Sequence, residues 1–348
     1  MRLSDFDYNL PSDLIAQEPR ESRDQSRLLS IDRRTGTRSH CRVSDLSALL
    51  TPGDLLVVNN TRVFPARLLG HRVPSGGAVE CLLLSRLDDQ HWDVLMHPGQ
   101  KLKPGALVLF EGAAYRLYLE VLERRFHGRR TVRLTVDGDG DVDSVIDAIG
   151  HVPLPPYIRR SDEQRDRERY QTVFARVRGS IAAPTAGLHF TPALLEMLAA
   201  RKIERAEITL HVGYGTFQPI RSDQIEQHQV AEERFEITAG AADRINAARA
   251  EGRRIVAVGT TSTRALESAV RVGNGRIESG TGLTDLYIYP GFDFRVVTAL
   301  LTNFHLPRSS LLVLVCAFAG RKPVMAAYRD AVACRYRFYS YGDAMFIT

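Results

Sequence analysis

Three histidines at the ends of predicted elements carry the chemistry that this sequence suggests most directly. They are His189, His211 and His305, and each stands among small or hydroxyl-bearing residues. Imidazole has a pKa of about 6.5, so a histidine can accept or donate a proton at neutral pH. For each one alone, a structural role with satisfied hydrogen bonds is the simpler interpretation. Three such positions together favour a shared cleft and general acid–base chemistry.

A junction of strand, glycine and helix is predicted at residues 255–264, where the sequence reads IVAVGTTSTR. Such a junction presents backbone N–H groups and the positive end of a helix dipole, which suit a carboxylate, a phosphate or the edge of a ribose. The alternative is an ordinary helix start whose hydroxyls cap the local N–H groups. The candidate binding residues are Gly259, Thr260, Thr261, Ser262 and Arg264.

A glycine-rich turn follows His211 in the stretch ITLHVGYGTF at residues 208–217. Glycine allows close backbone approach to a ligand, and Tyr214 and Phe217 offer flat surfaces for adenine or a cation. A tight turn with core aromatics is the alternative. The candidates in this turn are Gly213, Tyr214, Gly215, Thr216 and Phe217. Polar candidates at other element ends are Asn59, Asn60, Arg62, Thr185 and Asn303.

Hydrophobic periodicity predicts the elements that must position these residues. A strand at 54–58 leads into Asn59, and a strand end carrying Thr185 and His189 is predicted at 182–190. Short apolar runs separated by glycine and aspartate, typical of antiparallel strands, lie at 78–84, 92–96, 107–110, 115–122 and 131–136. Beyond residue 156 the patterns alternate, with helices at 192–201, 241–251 and 262–270 and strands at 206–211 and 255–258.

This order of elements predicts an α/β fold with an insertion. Alternating helices and strands are typical of layered α/β domains, and many short antiparallel strands favour a small barrel or sandwich. We therefore predict a layered α/β main domain built from both chain ends, residues 1–62 plus 149–348. A small antiparallel β-barrel domain is predicted as an insert at residues 63–148.

The composition places the chain among ordinary globular proteins and locates its charge. It has 348 residues, 46 of them basic and 41 acidic, for a formal net charge of +5. Residues 1–62 carry 9 basic and 9 acidic residues, 63–150 carry 11 and 12, and 151–348 carry 26 and 20. The positive excess therefore belongs to the C-terminal half.

Two charged runs have simple interpretations. The run 162–169 alternates in sign and predicts a solvated helix face. The run 124–130 is basic around an aromatic residue, so it is either an RNA contact or a hairpin tip of solvated arginines.

The sequence does not support several other classes of protein. The four cysteines are far apart without C-x-x-C spacing, and no H-E-x-x-H or G-x-S-x-G motif occurs, so we expect no disulfide framework, metal site or hydrolase triad. The longest apolar run, 311–319, is shorter than the roughly 20 residues of a membrane span. The N-terminus lacks the apolar region of a signal peptide. We expect a soluble cytoplasmic protein.

Long segments of the chain, in order, resemble the S-adenosylmethionine:tRNA ribosyltransferase-isomerase family of the queuosine pathway. The resemblance covers almost the whole length and is weakest in the middle β region. Its segments include DFDYNLP at 5–11, GDLLVVNNTRVFPAR at 53–67, GHVPLPPY at 150–157, AAPTAGLHF at 182–190, TLHVGYGTFQ at 209–218, AVGTTSTRALES at 257–268, YPGFDF at 289–294, LTNFHLP at 301–307 and YRFYSYGDAMFI at 336–347. Among the departures, Ala231 stands where a histidine is usual and Tyr214 where a small residue is usual.

The resemblance implies an α/β domain with an inserted β-barrel and an unusual use of S-adenosylmethionine. Its ribosyl group goes to an aminomethyl-deazaguanine base at the tRNA wobble position and becomes an epoxycyclopentanediol, while adenine and methionine leave. S-adenosylmethionine is then a consumed co-substrate, and no true cofactor or metal is needed. The implied partners are tRNA and S-adenosylmethionine, without a membrane, and we expect a monomer.

The resemblance also implies a need for proton transfer. A sulfonium acidifies the adjacent C5′ protons, so a base is needed there, together with a proton source as adenine departs. The candidates are His189, His211 and His305, with Asp343 or Glu233 as carboxylate partner.

The remaining candidate residues are expected to bind the substrate. Arg264 and the loop 259–262 are expected to hold the methionine carboxylate or the ribose, and Tyr214 or Phe217 to stack on adenine. Two other classes stay open: an S-adenosylmethionine-dependent or nucleotide-dependent enzyme acting on a small molecule, and a non-catalytic RNA-binding factor.

Overall fold

The computed structural model of the chain describes residues 1–112, 114–125, 128–217 and 219–348, and the side chains of Thr216 and Phe217 are outside this description. Its strands, β1 to β17 in chain order, are Arg27–Ile31, Arg38–Arg42, Leu55–Asn59, Thr61–Val63, Arg67–Val73, Ala78–Arg86, His91–His97, Leu107–Gly112, Tyr115–Arg124, Arg129–Asp137, Val177–Ser180, Glu204–Leu210, Glu233–Ile237, Ile255–Val258, Gly280–Thr284, Ala299–Asn303 and Ala344–Ile347. Its α-helices, α1 to α8, are Leu46–Leu49, Val142–Ile149, Asp166–Arg169, Pro192–Ala200, Ala239–Ala250, Thr260–Val272, Ser310–Ala319 and Arg321–Ala333.

Nine strands from both ends of the chain form one mixed sheet, in the order β15-β13-β12-β3-β14-β16-β17-β1-β2. The central strands β12, β3, β14 and β16 are parallel. β3, β14 and β16 are buried along their whole length, as expected for parallel strands that are covered on both faces. β17 runs antiparallel to β16 and parallel to β1. The mixed α/β architecture predicted from the sequence is confirmed.

Helices cover both faces of the main sheet. One face packs against α5, α6, α7 and α8, and the other packs against α1 and α4. α4 begins as predicted, because the Thr191 hydroxyl accepts a hydrogen bond of 3.1 Å from the N–H of Leu194 and Pro192 occupies the first turn. In the described residues, no individual helix combines the length and apolarity of a membrane span. α7 and α8 do so as a pair, with a bend of 119° between them.

Six antiparallel strands, β5 to β10, form a second sheet in the order β10-β7-β6-β5-β8-β9. Because β9 also pairs with β10, the ring of hydrogen-bonded strands closes on itself. Alternate side chains, such as Leu117, Leu119 and Val121 on β9, enter a separate apolar core. The antiparallel strands predicted in this region are confirmed.

Two charged segments are less exposed than predicted. The helix predicted at 162–169 is confined to α3, and its Asp166 is 1% exposed because it pairs with Arg160. The prediction of a solvated face is therefore wrong at this carboxylate. Arg130 is also 1% exposed, because its guanidinium donates to three main-chain carbonyls. The interpretation of this run as a hairpin tip of solvated arginines is therefore wrong for Arg130. Residues 126 and 127 lie outside the described part of the chain.

Candidate active site

The carboxyl ends of the four central strands bring several predicted site residues to one edge of the main sheet. His211 follows β12, Asn59 ends β3, Gly259 follows β14 and Asn303 ends β16. Asp343 reaches the same edge because β17 runs antiparallel to β16. In open α/β sheets, ligands bind in the crevice outside the carboxyl ends of the strands. Substrate binding is therefore expected at this edge.

A narrow cleft opens there, and we refer to it as the central cleft. The predicted site residues that line it are Thr185, Gly259, Thr260, Thr261, Asn303 and His305. Tyr157, Tyr339 and Ser340 also line it, although the sequence reasoning did not select them. The rings of Tyr157 and Tyr339 meet edge to face with centroids 3.9 Å apart, and the Tyr157 and Ser340 hydroxyls are hydrogen-bonded. The sequence signals for them are the prolines before Tyr157 and the YSY motif at 339–341.

The first turn of α6 faces the central cleft without a side-chain cap. Its N-cap residue, Gly259, has φ +95° and ψ 154°, a conformation that is essentially restricted to glycine. The hydroxyls of Ser262 and Thr263 donate to the carbonyls of Val258 and Gly259, so these two hydroxyls do not cap the N–H groups. Uncapped N–H groups at a helix N-terminus attract negative charge. This turn is therefore suited to a carboxylate.

Replacing Gly259 by alanine is expected to destabilise this turn through its backbone. The added Cβ would lie 3.7 Å from the Ala186 Cβ, an ordinary contact, so crowding contributes little. The backbone conformation itself costs a residue with a side chain about 1–3 kcal/mol. Urea unfolding of Gly259→Ala should show that loss in the free energy of unfolding. Gly240→Ala, in an open position of α5, is the control and should not lose stability; equal stability of both variants would contradict the prediction.

A hydrogen-bonded relay connects His189 to the central cleft. The Asn303 Nδ2 atom lies 3.1 Å from His189 Nε2, and Asn303 Oδ1 accepts a hydrogen bond of 3.0 Å from the Thr185 hydroxyl. Burial lowers the pKa of His189 to about 4, while nearby Asp343 and the Arg23 carbonyl oppose that shift. We assign the ring proton to Nδ1 from these partners, since Nε2 accepts from the amide.

The backbone that carries this relay differs from the prediction. Thr185–His189 forms a 3-10 helix after Pro184, so the strand end expected at 182–190 is wrong. The short helix buries His189, which is 3% exposed, while Thr185 lines the central cleft. Burial of this imidazole beneath the cleft favours a positioning role.

His305 is the one of the three histidines that lines the central cleft. It is 6% exposed, and its Nε2 atom lies 3.0 Å from Thr302 Oγ1. Its main-chain N–H donates to the Tyr328 hydroxyl at 3.0 Å, and its carbonyl accepts from the Tyr8 hydroxyl at 2.5 Å. Burial lowers the pKa of His305 to about 3. The ring is therefore neutral at pH 7 and able to accept a proton.

His211 lies at the same sheet edge in different surroundings. Its Nδ1 atom is 2.9 Å from Thr61 Oγ1, and its ring lies over Gly179, where an added Cβ would approach it to 2.6 Å. Burial lowers the pKa of His211. It does not line the central cleft, and His189 lines a neighbouring pocket. The structure therefore does not bring the three histidines into one shared cleft.

The residues at the end of β3 shape the sheet edge beside the cleft. Asn59 bridges strands, since its Oδ1 accepts from the N–H groups of Thr61 and Leu210 and its Nδ2 donates to the Leu210 carbonyl. Asn60 accepts a hydrogen bond of 2.7 Å from a threonine hydroxyl of β12. Arg62 is exposed on β4. Asn59, Asn60 and Arg62 are not among the residues that line the central cleft.

Arg264 is engaged by protein partners. It forms a buried ion pair with Glu233 and donates to the carbonyls of Leu286 and Thr284. Glu233 also accepts a hydrogen bond of 3.0 Å from the N–H of Gly213. The pair therefore ties α6 to the glycine-rich turn, which favours a positioning role for Arg264 over a direct hold on the methionine carboxylate.

The glycine-rich turn itself borders a second cleft. Tyr214 is 37% exposed and lines a cleft beside the six-stranded sheet, together with residues 153–156. Gly215 packs closely, since an added Cβ would lie 2.8 Å from the Ala231 Cβ. The predicted contributions of the Thr216 and Phe217 side chains lie outside the described residues.

Asp343 is fully buried next to the start of β17. Its two oxygens accept the main-chain N–H groups of Arg27 and Arg337, each at 2.8 Å. The guanidinium groups of Arg27 and Arg20 approach it to 3.3 and 3.5 Å. It raises the pKa of His189 against the larger effect of burial. Asp343 therefore acts on that histidine through its charge and does not line the central cleft.

One group of potential metal ligands lies at the outer edge of the main sheet. The ligand atoms of His40, Asp330 and Cys334 are within 4.8 Å of one another. The His40 Nδ1 atom is already hydrogen-bonded to the Tyr336 hydroxyl at 2.8 Å, and Arg38 lies 3.6 Å from Asp330. A neighbouring guanidinium disfavours a second cation, and we assign no metal to this group.

Comparison with known proteins gives matches over the whole chain. The model of a family described as queuosine biosynthesis protein matches residues 3–347. A protein of Heliobacterium modesticaldum named S-adenosylmethionine:tRNA ribosyltransferase-isomerase is 52% identical over 348 residues, covering 100% of both chains. A Desulfitobacterium hafniense protein of the same name is 50% identical over 347 residues, again covering 100% of both. The crystal structure of an S-adenosylmethionine tRNA ribosyltransferase from Thermotoga maritima is 38% identical, covers 99% of this chain and 100% of its own, and has a TM-score of 0.56.

Proposed function

This chain belongs to the queuosine biosynthesis protein family, and from that premise we propose that it is an S-adenosylmethionine:tRNA ribosyltransferase-isomerase. It transfers the ribosyl group of S-adenosylmethionine to the aminomethyl-deazaguanine wobble base of tRNA and isomerises it. The central cleft is the structural observation that supports this proposal for this chain. There an uncapped helix N-terminus, threonine hydroxyls and a neutral histidine meet at the carboxyl ends of parallel strands.

The chemistry requires three bonds of S-adenosylmethionine to break, besides the C5′–H bond. Cleavage of the bond from C5′ to sulfur releases methionine, and cleavage of the N-glycosidic bond releases adenine. A ring C–O bond of the ribose also breaks, because a new C–C bond closes the cyclopentane ring, the freed ring oxygen forms the epoxide, and the amine of the base loses a proton and bonds to a ribosyl carbon. We propose that His305 accepts the C5′ proton, because of the three candidate histidines it alone lines the central cleft. Its lowered pKa keeps the imidazole neutral, so one ring nitrogen is unprotonated and able to accept a proton at pH 7.

The first turn of α6 is proposed to hold the methionine carboxylate. Its N–H groups have no side-chain cap, and Thr260 and Thr261 line the cleft beside them. Thr185, oriented by Asn303, is placed to bind a hydroxyl of the ribose. His189 then acts through Asn303 as a positioning residue and does not itself touch the substrate.

The remaining features of the proposal follow from the resemblance. S-adenosylmethionine is consumed as a co-substrate, and no cofactor or metal takes part. Residues 63–148 are proposed to be an inserted β-barrel domain that flanks the cleft lined by Tyr214. A tRNA substrate implies a cytoplasmic location without a membrane, and one chain contains every residue named above, which is compatible with a monomer.

The full chain is expected to release adenine from S-adenosylmethionine only when tRNA carrying the aminomethyl-deazaguanine base is present. Chromatography of reaction mixtures with this tRNA, with the same tRNA carrying guanine, and without RNA measures that dependence. Equal release without RNA would indicate an enzyme acting on a small molecule. RNA binding without any adenine or methionine release would indicate a non-catalytic RNA-binding factor. Either result would overturn the proposal.

A further inference from the structure

Five arginines lie beside the central cleft, three of them around the buried Asp343 and three lining an adjoining pocket, with Arg20 in both groups; we call them the arginine cluster. They are Arg20, Arg23, Arg27, Arg169 and Arg337. Three of them, Arg20, Arg23 and Arg169, line a pocket together with His189 and Ser340. Ser340 also lines the central cleft, so the two cavities adjoin at this residue.

Most of the positive charge in the arginine cluster is not neutralised by carboxylates. Arg23 donates to two main-chain carbonyls in the segment 168–171, at 2.5 and 3.1 Å. Arg169 donates to the carbonyls of residues 20 and 21, and Arg337 donates to another carbonyl. Within the described part of the chain, these three guanidinium groups form no ion pair with a carboxylate. Carbonyls satisfy N–H donors but do not cancel a positive charge.

Neighbouring arginines outside the cluster are paired with carboxylates, unlike Arg23, Arg169 and Arg337. Arg160 pairs with both Asp166 and Glu18, and Arg165 pairs with Glu18. Charge in the adjacent loop is thus neutralised by ordinary ion pairs. The arginine cluster keeps its charge although burial, reinforced by Arg169, lowers the pKa of Arg23.

Arg20 offers the most direct sign of a missing ligand. Its Nε atom is buried and has no hydrogen-bond partner among the described residues. Its side chain is 33% exposed, and its contact with Asp343 is loose at 3.5 Å. A buried donor without a partner is unfavourable, and native proteins usually satisfy such groups. An anion in the pocket would offset the charge of the cluster, and a rotation of the partly exposed Arg20 side chain would bring this donor to it.

We propose that the arginine cluster binds a backbone phosphate of the RNA, next to the nucleotide whose base enters the central cleft. This inference rests on the proposed function, because it assigns a part of the tRNA to a place on the protein. A phosphate has acceptor oxygens in several directions and suits several guanidinium groups at once. The methionine carboxylate has a separate proposed site at the first turn of α6, whose N–H groups have no side-chain cap. The His189 relay then joins the phosphate pocket to Thr185 in the cleft.

The test compares Arg20→Gln and Arg23→Gln with wild type in binding of an anticodon stem-loop RNA at several salt concentrations. Arg295→Gln is the control, since Arg295 is 50% exposed and paired with Asp293 near the opposite edge of the main sheet. Each lost phosphate contact should reduce the slope of log K against log salt by about 0.7. We expect that change in both cluster variants, with binding about 10-fold weaker, and no change in the control.

A second arm identifies the anion. Methylphosphonate substitution, which removes the charge of one phosphate at a time, should weaken binding to wild type at one position near the wobble nucleotide. The same substitution should have no further effect in Arg20→Gln. The KM for S-adenosylmethionine should change less than 2-fold.

Different results would overturn the assignment. A rise in the KM for S-adenosylmethionine with unchanged RNA binding would place the methionine carboxylate in this pocket. Unchanged salt slopes in both variants would leave the arginines a structural role only, and circular dichroism of Arg20→Gln checks that its fold is intact. If wild type binds RNA through this pocket but releases no adenine, the phosphate site stands and the proposed function fails.

Discussion

Replacing His305 by alanine is expected to lower kcat for adenine release by about 10²- to 10⁴-fold, the range typical of a lost general base. His305 lines the central cleft, and Thr302 holds its ring by a hydrogen bond of 3.0 Å. Because burial lowers its pKa to about 3, the imidazole stays in its proton-accepting form throughout the neutral range. The KM for S-adenosylmethionine should change by less than 5-fold, since the loss falls mainly on the reaction step.

The controls for this prediction separate catalysis from folding. His91→Ala removes a partly exposed histidine that pairs with Asp88 on the six-stranded sheet, and its kcat should equal that of wild type. The wild-type profile of kcat against pH should show no acidic limb near pH 6.5 from His305. A folded His305→Ala variant with kcat within 3-fold of wild type would remove His305 from the mechanism and reopen His211 and His189.

Lowering the pH is expected to destabilise the protein by about 5 kcal/mol between pH 7 and pH 4.5, through two histidines. Burial lowers the pKa of His189 to about 4 and that of His305 to about 3, whereas both titrate near 6.5 when unfolded. The unfolded chain therefore binds more protons below pH 6.5, and stability falls as pH falls. Each histidine contributes about 1.4 kcal/mol per pH unit until its folded pKa is reached.

The measurement is the free energy of unfolding in urea at pH 7, 5.5 and 4.5. His305→Gln should lower stability at pH 7 but should flatten the dependence by somewhat under half, because His189 would still titrate, together with His211, whose pKa burial also lowers. His97→Gln is the matched control and should keep the wild-type slope, since His97 is exposed on the six-stranded sheet. An unchanged slope in His305→Gln would show that His305 is not a buried neutral group in solution.

The polar residues at the carboxyl edge of the main sheet could be predicted because their positions depend on local sequence patterns. The apolar run at 255–258 followed by Gly259 and four hydroxyl residues predicts a strand, a tight turn and a helix start, and the structure has all three. Parallel strands with polar residues after their carboxyl ends then predict a common crevice. Thus Thr185, Asn303 and His305 could be selected without knowledge of the fold.

The arginine cluster could not be found in the same way. Arg20 and Arg23 meet Arg169 and Arg337 only after β1 has paired with β17 and the loop before β1 has packed on α3. Long-range pairing of this kind leaves no spacing pattern in the sequence. The sequence also predicted that Arg264 binds the substrate. Its buried partner Glu233 lies 31 residues away in the chain, so the ion pair left no local pattern that could have been recognised.

The fate of two labelled parts of S-adenosylmethionine is the most direct test of ribosyl transfer by this protein. The co-substrate would carry one label in its ribosyl carbons and another in its methyl group, and would react with tRNA that carries the deazaguanine base. The ribosyl label should enter the RNA, the methyl label should leave in free methionine, and His305→Ala should suppress both. Entry of the methyl label into the RNA, or retention of both labels in S-adenosylmethionine, would contradict ribosyl transfer.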